Sequence, residues 1–141
     1  MDFAGMNYNA VMLAAAASFI FGGVWYGVLA KQWMEAAGVS EEQANSSPKI
    51  AGVKWQLPFT FAVLILMAFA MAGVMGHLGT GQLSVWNGLV TGVFIWLGFV
   101  VSTMAVNHAY QGAPTRLTII DGLHWLCVLL IQGSVIGLMG V

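Results

Sequence analysis

The run F-T-F-A-V-L-I-L-M-A-F-A-M-A-G-V-M, from Phe59 to Met75, decides the fold. It holds no ionisable side chain, and Pro58 just before it sits where the first turn of a helix tolerates proline. A hydrocarbon core of roughly 30 Å needs about 20 apolar residues at ~1.5 Å rise each. Extended to about 55–76, this run meets that length. Three others match it: about 10–30, 85–106 and 117–139. Lipid leaves no water to satisfy free backbone groups, so such segments form helices, and they are too long and too uniformly apolar for barrel strands. The expectation is an all-α membrane protein: one domain, residues 1–141, with four transmembrane helices in a compact bundle.

Composition agrees. Of 141 residues, 60% are hydrophobic and 6% charged, against roughly 25% charged in ordinary soluble domains. Mean hydropathy is +0.86. A water-soluble globule is excluded, and so is a disordered chain, which needs low hydrophobicity and high net charge. A net charge of −1 with no basic run argues against nucleic acid. The single Cys127 rules out an internal disulfide framework and a cysteine-rich metal site.

The flank before the first span carries Asp2 and no Lys or Arg, so the segment reads as a retained anchor rather than a cleaved signal. Lys31, Lys49 and Lys54 border or occupy the first loop and Arg116 the third, while the second loop and both termini have no basic residue. The positive-inside rule therefore predicts a multi-pass protein with its basic loops cytoplasmic and its termini facing outward, toward the periplasm in a Gram-negative cell. Within loop 31–54, Ser40-Glu-Glu-Gln43 has the spacing of a capping box and predicts a short interfacial helix ending near Asn45-Ser-Ser-Pro48. Trp33 and Trp55 are expected at headgroup depth. A loop of this size cannot fold a core of its own.

Helices approach closely in lipid through small residues. Ser18 and Gly22, Gly23 and Gly27, Ala68 and Ala72, Gly88 and Gly92, and Gly133 and Gly137 all stand four apart. They predict packing within the bundle, or, for one or two faces, a contact between copies.

Ionisable residues at membrane depth are expensive, about 2.5–3.5 kcal/mol each on insertion scales, so each is a site hypothesis. Asp121 and His124 lie three apart on one helix face, which continues through Val128 to Gln132. A carboxylate beside an imidazole can share a proton, orient a tautomer or help hold a cation; the plainer reading is a pair that pins helix packing. Asp121, roughly 7–8 Å inside Arg116, is also within reach of Arg116, Lys54 or Lys31. Asn87, Thr91, Gly98 and Ser102 fall on one face of the third span, expected to bond a neighbouring helix. Asn107, His108 and Tyr110 at its end, with Trp25, Tyr26, Lys54, Asp121 and His124, are expected to converge on the cytoplasmic half. The candidate ligand site is thus Asp121, His124, His108, Asn107, Tyr26 and Trp25. His77, His108 and His124 lie at different depths, which disfavours haem. No serine stands near the Asp–His pair in sequence, no strand is expected to carry a phosphate loop, and the nine Met read as gap-fillers. No catalytic residue, metal or cofactor is expected.

The segment G-G-V-W-Y-G-V-L-A-K-Q-W-M (Gly22 to Met34), W-L-G-F (Trp96 to Phe99), Asn107 and I-D-G-L-H-W-L (Ile120 to Leu126) resemble a bacterial membrane family, domain of unknown function seventeen-sixty-one. The resemblance covers nearly the whole chain. It implies a four-helix integral membrane protein and carries no established activity. Two functions remain open: an oligomeric protein that binds or passes an ion, proton or small solute, or an accessory module of a larger membrane complex.

Overall fold

The computed structural model describes residues 6–46, 48–50 and 53–141. Asp2 and Ser47, used above for the N-terminal flank and the end of the loop helix, lie outside them. Four helices are long and apolar enough to cross a membrane: α1 (Tyr8–Val28), α4 (Gln56–His77), a third span over Val85–Gln111, and α7 (Thr115–Met139). Between α1 and α4 come α2 (Ala30–Ala37) and α3 (Glu41–Asn45).

Local chemistry sets the boundaries. Asn7 caps α1, its side chain accepting from the Ala10 amide at 3.1 Å, while its Nδ2 donates to the Met139 carbonyl at 3.1 Å and ties the start of α1 to the end of α7. Ser40 and Gln43 form the capping box of α3, at 3.2 and 2.8 Å, which satisfies two amides at that helix start. Gly38 and Gly112 end α2 and the third span at φ +67, a backbone region that glycine enters without strain. Ser84 caps the third span through the Asn87 amide.

Three features correct the sequence reading. The first loop carries two helices rather than one, because α2 starts right after Leu29 and ends only at Gly38. That loop also holds a two-residue antiparallel ladder, Lys49–Ile50 with Val53–Lys54, where no strand was expected. The third span runs to Gln111 instead of Val106: polar side chains do not end a helix, and the first breaker is Gly112. It is also irregular. α5 (Val85–Ile95) passes through a π turn, Trp96–Val100, into α6 (Val101–Gln111), and the Val101 amide donates to the Trp96 carbonyl five residues back.

α7 is the central element: 44% of its apolar window is buried, against 6% for the third span. One stripe, His124, Val128, Gln132 and Ile136, is buried at four-residue spacing. It joins a core with Val11, Ala14 and Ala15 of α1 and Leu64, Ala68, Met71, Ala72 and Met75 of α4. A second stripe meets α5 backbone to backbone. A Cβ on Gly88 would strike the Gly133 carbonyl, one on Gly137 the Ser84 carbonyl, and one on Gly92 would lie 3.0 Å from the Leu129 oxygen. Gly23 and Gly27 do not pack in this way. Both are exposed with nothing within 4 Å, since α1 presents Ala14, Ala15 and Ser18 to the core and these two glycines lie outside that stripe. In α1 it is Gly22 that makes a close approach.

Candidate functional site

Asp121 lies within the second turn of α7, behind an N-cap set by Pro114. Its Oδ1 accepts two hydrogen bonds, from the Tyr26 hydroxyl at 2.8 Å and from Trp33 Nε1 at 3.0 Å. Those two rings meet edge-on, with centroids 6.0 Å apart. Two different helices deliver them. Tyr26 stands in the last turn of α1, and the break at Leu29 turns α2 so that Trp33 comes back to α7. A carboxyl oxygen that accepts from two neutral donors on different helices is an acceptor held in place. No basic side chain stands within ion-pair distance of it among the described residues. Arg116 pairs with Glu35 at 3.5 Å across half-exposed side chains, and Lys54 donates to the Ala44 carbonyl. The partners within reach by sequence, Arg116, Lys54 and Lys31, do not pair with Asp121; Tyr26 and Trp33 hold it instead.

One turn further along α7, the His124 ring is 5% exposed and surrounded by aromatic rings. Tyr26 stands 4.7 Å away, Trp125 5.0 Å, Phe21 6.0 Å and nearly parallel, and Trp25 6.3 Å. On the α1 side the ring faces Gly22, where a Cβ would lie 3.1 Å from Nε2, so a glycine allows this approach. The buried Nδ1 of His124 has no hydrogen-bond partner, and neither has the buried Nε1 of Trp25. A buried polar atom left unpaired costs about 1–3 kcal/mol, so such atoms call for an explanation.

His124 also forms part of the wall of a cavity of about 480 Å³ between α1, α4 and α7. Its lining is mostly apolar, with Phe19, Leu57, Phe59, Val63, Leu64 and Trp125, and its polar members are Ser18, Tyr26, Thr60 and His124. Ser18 shares this cavity with the imidazole, a proximity that sequence distance hid. Its hydroxyl donates to the Ala14 carbonyl at 2.8 Å in its own helix.

Of the six residues singled out from the sequence, Asp121, His124, Tyr26 and Trp25 come together. His108 and Asn107 do not. His108 Nδ1 pairs with Thr118 Oγ1 at 2.8 Å, and Asn107 is exposed on α6, as is Tyr110 at 92%. The polar face of the third span makes local bonds rather than bonds to a neighbouring helix: Asn87 to Gln82, and Ser102 to the Gly98 carbonyl. The π turn explains part of this, since an extra residue shifts Ser102 by roughly 100° from the phase of Asn87 and Thr91. Gln132, deeper on the His124 stripe, donates to the Leu64 carbonyl at 3.1 Å. Sequence reasoning missed Trp33, Phe21 and Trp125. Trp33 was read as an interface anchor, and only the turn at Leu29 redirects it. No three His, Cys, Asp or Glu side chains converge among the described residues.

The arrangement places an imidazole in the wall of an apolar chamber, packed against the Tyr26 ring of a carboxyl–phenol–indole cluster. A family profile described as protein of unknown function, DUF1761, matches residues 9–137. Comparison with curated proteins and with solved structures gives no match.

Proposed function

The chain belongs to the DUF1761 family, and we propose that it is a multi-pass membrane protein that binds a small solute at His124. The supporting observation is that His124 lines a chamber and neither of its ring nitrogens has a hydrogen-bond partner among the described residues, with Nε2 lying beside Gly22 of the chamber wall. Asp121 and Tyr26 act as positioning groups: Tyr26 touches both the carboxylate and the imidazole, so the Asp121 bond fixes the wall against which His124 rests. The Glu35–Arg116 contact brings the first and third loops to one end. With the positive-inside rule, that end faces the cytoplasm of a bacterial inner membrane, the termini face the periplasm, and the His124 site lies in the cytoplasmic half.

Native mass spectrometry of protein extracted in mild detergent tests this reading. Wild type is expected to retain a non-protein mass at one per chain, and His124→Phe, which preserves ring packing, to lose it. Retention by both, or by neither, refutes solute binding at His124. Stoichiometric foreign subunits in the same preparation would move the protein to the class of assembly modules.

A further inference from the structure

We infer that the solute is an uncharged single-chain amphiphile that enters sideways, between α1 and α4, and hydrogen-bonds His124 with its polar head. The inference rests on the solute-binding reading above and adds the ligand's chemistry and its route. Route follows from exposure. The lining residues Gly23, Leu57 and Phe59 are exposed, whereas Ser18, Leu64 and His124 are buried. The chamber therefore opens through the flank of the helix pair, at Gly23, where nothing lies within 4 Å. In a membrane that flank is lipid, and what passes it must be soluble there.

Head chemistry follows from the lining. The Ser18 hydroxyl donates to the Ala14 carbonyl and the Tyr26 hydroxyl to Asp121. Among the described polar lining residues that leaves the Thr60 hydroxyl and the His124 imidazole, whose Nε2 lies beside Gly22 of the wall with no hydrogen-bond partner. Among the described residues no charged side chain lines the chamber, so an ionic head would be desolvated without compensation. A hydroxyl or carbonyl head meets one imidazole nitrogen with one hydrogen bond. About 480 Å³ lies in the range of roughly 300–1,000 Å³ that encloses one drug-sized molecule, which suits a single chain rather than a two-tailed lipid.

The test uses the full chain in lipid nanodiscs and three photoreactive probes of equal chain length, each with a mid-chain diazirine: a primary alcohol, an alkane and a quaternary ammonium. Labelled residues are mapped by mass spectrometry. The alcohol should label α1 or α4 at the chamber wall about tenfold above the alkane, the discrimination expected of one hydrogen bond. His124→Phe should reduce the alcohol to the alkane level. Gly23→Leu, whose side chain fills open space at the mouth, should cut alcohol labelling about tenfold while leaving thermal stability unchanged. Gly22→Ala, which sets a methyl against Nε2, is a second obstruction, expected to act in the same direction.

Equal labelling by alcohol and alkane would show acyl filling of a crevice only and overturn the inference. So would stronger labelling by the ammonium probe, or alcohol labelling that survives both glycine variants. Each of those results leaves the His124-dependent retained mass standing, so failure of the ligand class is distinguishable from failure of the binding site itself.

Discussion

Placing a methyl at Gly88 or Gly133 tests the packing that holds the third span to the bundle. Each Cβ would meet the other glycine's backbone, and also lie 3.1–3.2 Å from its Cα. Backbone cannot swing aside as a side chain can, so α5 and α7 must separate. Carbon contacts settle near 3.5–4.0 Å, so the crossing must open by roughly an ångström. The adjoining approaches, Gly137 to Ser84 and Gly92 to Leu129, then loosen together. Overpacking of this kind costs about 1–3 kcal/mol, against which alanine returns up to about 1 kcal/mol of helix propensity. Because the clash is with backbone, the upper part of that range applies, about 2–3 kcal/mol less about 1 kcal/mol, so a net loss of about 1–2 kcal/mol per substitution is expected, read by reversible SDS unfolding in mixed micelles. The double variant should cost less than the sum, because the first methyl has already opened the crossing for the second. Gly23→Ala, with free space around it, serves as the control and should be neutral or slightly stabilising. Wild-type unfolding of Gly88→Ala and Gly133→Ala, or strict additivity, would refute the backbone-contact argument.

Other substitutions probe the site and the core. Tyr26→Phe and Trp33→Phe each remove a donor to Asp121 and should destabilise by about 0.5–1.5 kcal/mol in the same titration, with the loss shrinking in an Asp121→Ala background; full loss in that background would mean that the rings matter only as packing. Gln132→Leu removes one hydrogen bond to Leu64 and also one buried oxygen without a partner. These oppose each other, so stability should change by less than about 1 kcal/mol, and a loss above about 2 kcal/mol would show that the amide does more than the geometry indicates.

The four long apolar helices were legible because their signal is the number of consecutive apolar residues, which needs no knowledge of neighbours. Asp121 and His124 were legible for a related reason: ionisable groups stand out in such runs. Their partners were not. Trp33 reaches Asp121 only because the chain breaks at Leu29, and nothing in the composition of Leu29-Ala30-Lys31 announces a turn there. Small-residue spacing showed where close approach is possible but not which face is turned inward. Gly88 and Gly133 meet, while Gly23 and Gly27, with the same spacing, look outward. Facing is decided by the other helices, as when Gly22 takes its place beneath His124 because α7 brings an imidazole there.

The π turn at Trp96–Val100 divides the third span into two rods whose faces are offset by roughly 100° from a straight helix. Upstream, α5 is locked by glycine contact with α7; downstream, α6 is set by His108 against Thr118. At the joint itself, the Trp96 indole donates to the Gly122 carbonyl at 2.7 Å, between Asp121 and His124. A straight rod would have to satisfy both ends with one azimuth. The extra residue gives the two ends different azimuths, and the Trp96 indole fastens the splice to the stretch of α7 that bears Asp121 and His124.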